Sequence, residues 1–226
     1  ARKIRMDDAW YCLTSSIMKT IEYPLVCTTF TKTDCKQIMS PILQAGLHAI
    51  HVQRRLPRAL VHGPRKYQGL GIHDPWAIQL IEQLQVILRH CSRPTPDGHF
   101  LRTNMENLVM ELGSGTSFWD LNYKDWSCLA TSSWIKYTWR DLNDSPLSLK
   151  GPIPTIPAQR HGDVFLMDCF MTQAFTPAQL ISLNDTRMYK QVTLLSDIVS
   201  ADGLQLNPTI VTDSAPDGTT PFTWPR

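Results

Sequence analysis

Four places in this sequence combine residue types and spacings that bear on chemistry: Asp7-Asp8, the His48-x-x-His51 pair, the basic run from Arg54 to Lys66, and the turn Gly69-Leu70-Gly71. Adjacent aspartates can bridge two Mg²⁺ ions in a nucleotide polymerase, where they sit on a hairpin between apolar strands. Here they lead straight into an amphipathic run, so the expected role is to complement a helix N-terminus. His48 and His51, with His62, His73, His90, Cys91 and His99 beyond them, are zinc-ligand types, yet no second pair follows at finger or ribbon spacing. No metal site is expected, and no G-x-S-x-G or comparable nucleophile setting occurs, so no catalytic residue is assigned. Gly69 and Gly71 are too few for a phosphate-cradling loop and lack the Lys-Ser/Thr of a P-loop; a tight turn into the helix start at Asp74-Pro75 accounts for them.

What remains is charge. Arg54, Arg55, Arg58, Arg65 and Lys66 follow one another with no acidic residue between Arg54 and Tyr67. Such cations cannot pair among themselves, so they stay solvated or meet an anionic partner, and phosphate is the natural candidate. Tyr67, and also Tyr11, offer rings on which bases could stack. The net charge of +2 conceals the distribution: through Lys66 there are 11 Lys and Arg against 4 Asp and Glu, a balance of +7, and from Tyr67 onward 11 against 16, or −5. A charge run is also the ordinary signature of a solvated face, and that reading stands beside the nucleic-acid one.

With 226 residues, 42% of them hydrophobic and 19% charged, the chain can bury a core. Its cysteines, Cys12, Cys27, Cys35, Cys91, Cys128 and Cys169, are scattered without a CxxC pair, which argues against a disulfide framework and a zinc ribbon. Reduced thiols, mainly in the core, are expected. No apolar run approaches the roughly 20 residues of a bilayer span, and no apolar signal core follows the basic N-terminus. The expectation is a soluble intracellular protein, nuclear or cytoplasmic, with no membrane partner. The start at Ala1 and the Pro/Thr-rich ending DSAPDGTTPFTWPR suggest a piece of something longer.

The elements that must position the basic run read as helices. Residues 7–22 carry Ala9, Leu13, Ile17 and Ile21 at i+4 steps, and Pro24 is expected to stop that helix. Asp34 and Gln37 have capping-box spacing for a second helix, with a restart at Ser40-Pro41. The basic run, punctuated by Pro57 and Gly63-Pro64, is expected to be loop with at most a turn or two of helix. Asp74-Pro75 opens a helix to about Arg89 on which Ile78, Ile81, Leu84, Ile87 and Leu88 share a face. SRPTPDG reads as a loop, Leu101 to Leu112 as a helix ended by Gly113, and Lys124 to Leu142 as one aromatic-rich helix with Trp126, Trp134 and Tyr137 in its rows. Val164 to Met171 is a short apolar helix. Thr176 and Gln179 box the start of a helical stretch running to Asp202-Gly203.

The expected fold is mainly α: an irregular multi-helix bundle with short extended segments and a loosely ordered C-terminal tail. Its expected divisions are a basic helical region over 1–144, a proline-rich connector over 145–161, a C-terminal helical region over 162–204 and a tail over 205–226.

The order of motifs adds a resemblance. EYPLVCTTFTKTDCKQIMSPIL, RRLPRALVHGPRKYQGLGIHDP, MELGSGTSFWDL and LNDTRMYKQVTLLSDIVSADG together resemble the region downstream of the polymerase palm in retroelement reverse transcriptases, of the retrotransposon type abundant in algal and diatom genomes. Gly69-Leu70-Gly71-Ile72 looks like the segment after the thumb of many non-LTR polymerases. The likeness runs from about Ala9 to Gly203, through motifs none of which is catalytic. It implies a thumb or post-thumb segment that grips an RNA or DNA template-primer duplex by its backbone. Arg54, Arg55, Arg58, Arg65, Lys66 and Tyr67 would be the contacts. The partner protein would be a palm domain of the same polyprotein, and Mg²⁺ would be a cofactor of that domain, with none in this segment. Fingers, palm and aspartate hairpin are absent, so the segment is not expected to be an RNA-directed DNA polymerase alone. The alternatives are a helical protein-interaction scaffold derived from such an element, using Trp126, Trp134 and Tyr137 as a face, and an independent enzyme with a dispersed site.

Overall fold

The amphipathic run behind Asp7-Asp8 folds as α1 (Met6–Tyr11), a wider turn over Cys12–Ile17 in which the Met18 N–H donates to the Leu13 carbonyl five residues back, and α2 (Met18–Leu25). Both aspartates lie in the first turn, where acids complement the helix dipole. Pro24 sits inside the last turn rather than ending the helix ahead of it. The helix closes when Cys27 and Thr28 turn back to donate to Pro24 and Leu25. The computed structural model describes residues 4–150, 154–208 and 210, and the chain divides between Arg89 and His90 into two units.

In the first unit, α3 (Lys32–Ala49) starts three residues before the expected box. Thr31 Oγ1 accepts the Asp34 N–H and the Asp34 carboxylate accepts the Thr31 N–H at 2.8 Å. The helix passes through Pro41 without the expected restart at Ser40. Cys35, Met39, Leu43 and Leu47 bury one continuous stripe across the proline. At about 2 kcal/mol for each large apolar side chain, that stripe outweighs the roughly 3 kcal/mol that a mid-helix proline costs. Short α4 (Arg58–His62) and a 3₁₀ turn (Arg65–Tyr67) follow, then α5 (Pro75–His90), whose first N–H beyond the proline, that of Trp76, donates to Asp74 Oδ1 at 3.2 Å.

The buried face of α5 differs from the apolar reading: Pro75, Gln79, Leu80, Gln83 and Ile87 are buried, while Ile81 and Leu88 are exposed. Gln79 Oε1 accepts from Thr28 Oγ1 and the Phe30 N–H, its Nε2 donates to the Phe30 carbonyl, and Gln83 Nε2 donates to the Thr28 carbonyl at 2.6 Å. The two glutamines satisfy a segment, Thr28–Phe30, that has no ladder of its own, which is why they displace isoleucine and leucine from the inner face. The core of this unit gathers Leu13, Met18, Met39, Leu43, Leu47, Val61 and Ile72.

In the second unit, α6 (Pro96–Leu112) begins inside the expected loop because Thr95 caps it, Oγ1 accepting the Gly98 N–H, with Pro96 at the first position. It ends at Gly113, φ +62°. The expected Lys124–Leu142 helix is two pieces. α7 (Tyr123–Trp126) and a 3₁₀ turn (Ser127–Leu129) stop at an extended Ala130, and Ser133 starts α8 (Trp134–Asn143) by accepting the Lys136 N–H. Trp139 is fully buried, its Nε1–H donating to the Leu121 carbonyl, with Phe118 and Tyr123 edge-on to its ring.

After the irregular residues 145–150 and 154–163, which lie inside this unit, come α9 (Leu166–Met171) and α10 (Pro177–Lys190), whose Thr176/Gln179 box forms as expected. α10 stops at Gln191, well short of Asp202. Leu194 instead bridges Phe165, and the Asp197 carboxylate accepts the Thr193 and Leu194 N–H groups to start α11 (Leu195–Ile198). Isolated bridges are the only β pairing among the described residues, so the fold is mainly α. Cys35 is buried and Cys91 half-buried, but Cys12, Cys27, Cys128 and Cys169 are exposed on outer faces, contrary to the core role expected of most thiols. Most of the tail, residues 211–226, lies outside the described residues.

Candidate nucleic-acid interface

Two devices hold the basic run. α4 starts at Arg58 behind Pro57, so its first turn already carries a cation. Its last carbonyls are then satisfied from downstream: Leu70 donates to Leu60 at 2.8 Å, Ile72 to Val61 at 3.1 Å and Gly71 to Gly63 at 2.9 Å. For this the chain must pass very close to itself, since a Cβ at position 69 would stand 2.1 Å from the Gly63 carbonyl oxygen. Glycine is required there, and Gly71 adopts φ +69° two residues later. Fully buried Val61 and Ile72 pin the two strands of this loop to the core, and His62 Nδ1–H donates to the Ile72 carbonyl at 2.8 Å. The Gly-Leu-Gly-Ile segment is therefore the clasp on which the arginines are mounted.

Arg54, Arg55, Arg58, Arg65 and Lys66 are all exposed, and none has an ion pair among the described residues. They do not form one cluster. Arg58 faces a cavity of about 430 Å³ between α3, α4 and the start of α5, in the company of Lys32, Lys36, His62 and Trp76. Arg65 faces a second cavity with Thr14, Glu22 and His73, its guanidinium 5.4 Å from the Trp10 ring centroid. Lys66 Nζ stands 4.7 Å from the ring of Tyr67, which is otherwise exposed, and Tyr11 is exposed too.

Glu22, the carboxylate of the second cavity, is already matched. Lys19 Nζ donates to it at 2.5 Å and His73 Nδ1 at 2.7 Å. Burial pushes its carboxyl group upward, but these two hydrogen bonds with their charges outweigh that and hold it below the ordinary carboxylate value. Arg65 thus faces a carboxylate that other groups have satisfied.

Sequence reasoning missed Lys32, Lys36, His62 and Trp76 as site residues. The available signal was the i, i+4 spacing of Lys32 and Lys36, which puts both on one face of α3. Of the aromatic residues considered as a protein-binding face, Trp126 is buried and Trp134 and Tyr137 are half-buried, so Trp126 belongs to the core. No group of three or more His, Cys, Asp or Glu side chains poised for a metal occurs among the described residues, and none of the described helices is long and apolar enough to cross a membrane. No protein-family model, no curated protein and no solved structure matches the chain.

Proposed function

We propose that residues 54–67 are a surface that grips the backbone of a nucleic-acid duplex, in the manner of a thumb or post-thumb segment of a retroelement reverse transcriptase. The observation that carries this reading is the exposure of Arg54, Arg55, Arg58, Arg65 and Lys66 without an acidic partner among the described residues. Each of these cations left to solvent can neutralise a phosphate, and each phosphate neutralised releases condensed counterions. The unit that carries them has 12 Lys and Arg against 6 Asp and Glu. Backbone contacts of this type position a duplex without reading its sequence. On this proposal the chemistry, with its Mg²⁺, belongs to a palm domain of the same polyprotein acting in the nucleus or cytoplasm, and this chain contributes no catalytic group.

The test is duplex binding by fluorescence anisotropy across a salt series, for the parent chain and Arg54→Ala/Arg55→Ala/Arg58→Ala. The variant is expected to bind more weakly, with the slope of log affinity against log salt shallower by about one for each phosphate-contacting cation removed. Equal affinity at every salt concentration would reject the assignment. Of the aromatic face that the scaffold alternative would use, Trp126 is buried and Trp134 and Tyr137 are half-buried.

A further inference from the structure

The cavity that Arg58 faces offers more than charge. Its floor is apolar, with Met39 and Leu43 buried beneath it. Trp76 stands on one wall, half-buried, and Lys32 Nζ lies 4.0 Å from its ring centroid. An exposed lysine resting on an indole marks a ring face that is turned away from the core. Lys36 and Arg58 are exposed, and neither has an ion pair among the described residues. His62, with Nδ1–H fixed on the Ile72 carbonyl, has Nε2 as its remaining ring nitrogen. Asp74 contributes the wall's carboxylate, and one of its oxygens is engaged by the Trp76 N–H.

A surface that only grips a phosphate backbone needs cations at a shallow face; it has no use for an apolar floor and an indole. A ring for stacking beside cations for phosphate is what a nucleotide needs, and a volume of about 430 Å³ lies within the usual range for small-ligand cavities. We propose that this cavity binds a nucleoside phosphate, the base against Trp76 and the phosphate between Lys36 and Arg58. Lys32 occupies the ring face that the base would take, so on binding its ammonium is displaced and joins the phosphate contacts. The proposal takes its ligand class from the duplex-gripping reading, and two sources supply the same chemistry: a free nucleotide, or the unpaired terminal nucleotide of a strand.

The test is calorimetric titration of the full 226-residue chain with adenosine monophosphate, ribose 5-phosphate and inorganic phosphate. Adenosine monophosphate is expected to bind about tenfold more tightly than ribose 5-phosphate, the gain that stacking gives a base. Trp76→Leu should remove that gain and Trp76→Phe retain most of it, while Lys36→Gln, at an exposed position that leaves folding intact, should weaken all three. Equal binding of the three compounds, or adenosine monophosphate binding that ignores both Trp76→Leu and Lys36→Gln, overturns the proposal.

A duplex with a one-nucleotide 5′-phosphorylated overhang, compared with a blunt duplex, separates the sources. An overhang preference lost in Lys36→Gln assigns the cavity to strand ends, and binding of the mononucleotide alone assigns it to free nucleotide. Arg54 and Arg55 do not line the cavity. A duplex affinity indifferent to Arg54→Ala/Arg55→Ala therefore sinks the grip while leaving the cavity standing. Conversely, no mononucleotide binding by the parent chain, with its duplex salt slope intact, sinks the cavity and leaves the grip.

Discussion

Arginine has opposite fates in the two units. In residues 1–89, Arg54, Arg55, Arg58 and Arg65 are exposed and carry no ion pair among the described residues. In residues 90–226, Arg187 is 1% exposed and Arg140 is half-buried with its Nε–H donating to Asp141 Oδ1 at 2.8 Å. Arg187 has no carboxylate at ion-pair distance among the described residues; its Nη2 donates to the Met110 and Glu111 carbonyls at the end of α6 and to Asn184 Oδ1, and its Nε to the same Asn184 oxygen. Burial pulls its guanidinium down to about 10, which still leaves it charged at neutral pH. Arg187 fastens α10 to the end of α6, whereas Arg93 and Arg160 of the same unit are exposed like the arginines of the first. The second unit, at 10 Lys and Arg against 14 Asp and Glu, shows that the first unit's bare cations follow from placement as well as number.

The largest expected effect tests the internal fate. Arg187→Met strands the Met110 and Glu111 carbonyls and Asn184 at once, and the unfolding free energy is expected to fall by about 3 kcal/mol in urea titration. Gly113 is tied to the same group: its φ is +62°, and a Cβ there would stand 2.6 Å from Arg187 Cζ. Gly113→Ala should therefore cost about 2 kcal/mol in the parent and measurably less in the Arg187→Met background, a coupling readable from the double-mutant cycle. Strict additivity would show that the arginine is not what fixes that helix end. Duplex affinity, resting on the other unit's cations, should be unchanged at temperatures where the variants remain folded.

A smaller effect asks whether the first unit also has an internal polar fastening. Gln79 is fully buried and serves both the N–H and the carbonyl of Phe30. Gln79→Leu fills the same space and abandons both, so a loss of about 2 kcal/mol is expected by the same titration, whereas an apolar gain from leucine would reverse the sign. A neutral or stabilising result would mean that the Thr28–Phe30 segment finds water for those groups and that only the second unit relies on buried polar contacts.

This contrast also marks what the sequence could and could not reveal. Helix existence was legible from apolar spacing, the basic run from charge, and Gly113 and the Thr176/Gln179 box from cap chemistry. Three misreadings come from contacts that local spacing does not carry. Gln79 and Gln83 take inner positions on α5 because of backbone groups some fifty residues earlier, and no local period predicts that. Pro41 is carried inside α3 by a stripe buried on both sides of it. α10 ends at Lys190 where Gln191 turns left-handed at φ +55°, and Leu194 then bridges Phe165. The site divided in the same way. Exposure of the five cations followed from their lack of nearby acids, but the placement of Arg58 and Arg65 in separate cavities depends on the clasp of residues 69–72 over α4, and Lys32, Lys36 and Trp76 reach the first cavity from helices on either side.

The smallest effect concerns Glu22, a carboxylate that shares a cavity with the bare Arg65. Because Lys19 and His73 hold its folded-state proton affinity below the ordinary value of 4.5, its contribution to stability is fully present above that value and is lost as pH falls through and below it. Comparing the parent with Glu22→Gln by thermal unfolding should give a difference of less than about 1 kcal/mol at pH 7, the scale of a partly exposed ion pair, shrinking as the pH drops beneath 4.5. A difference that stays flat down to pH 3 would mean the carboxylate's partners contribute nothing. The same variant sharpens the contrast between the units: since Glu22 is satisfied by Lys19 and His73, removing its charge should leave the number of phosphates neutralised, and hence the salt slope of duplex binding, as it was. A steeper slope in Glu22→Gln would show that Arg65 had been partly held by this carboxylate, and that the first unit's arginines are less free than their exposure indicates.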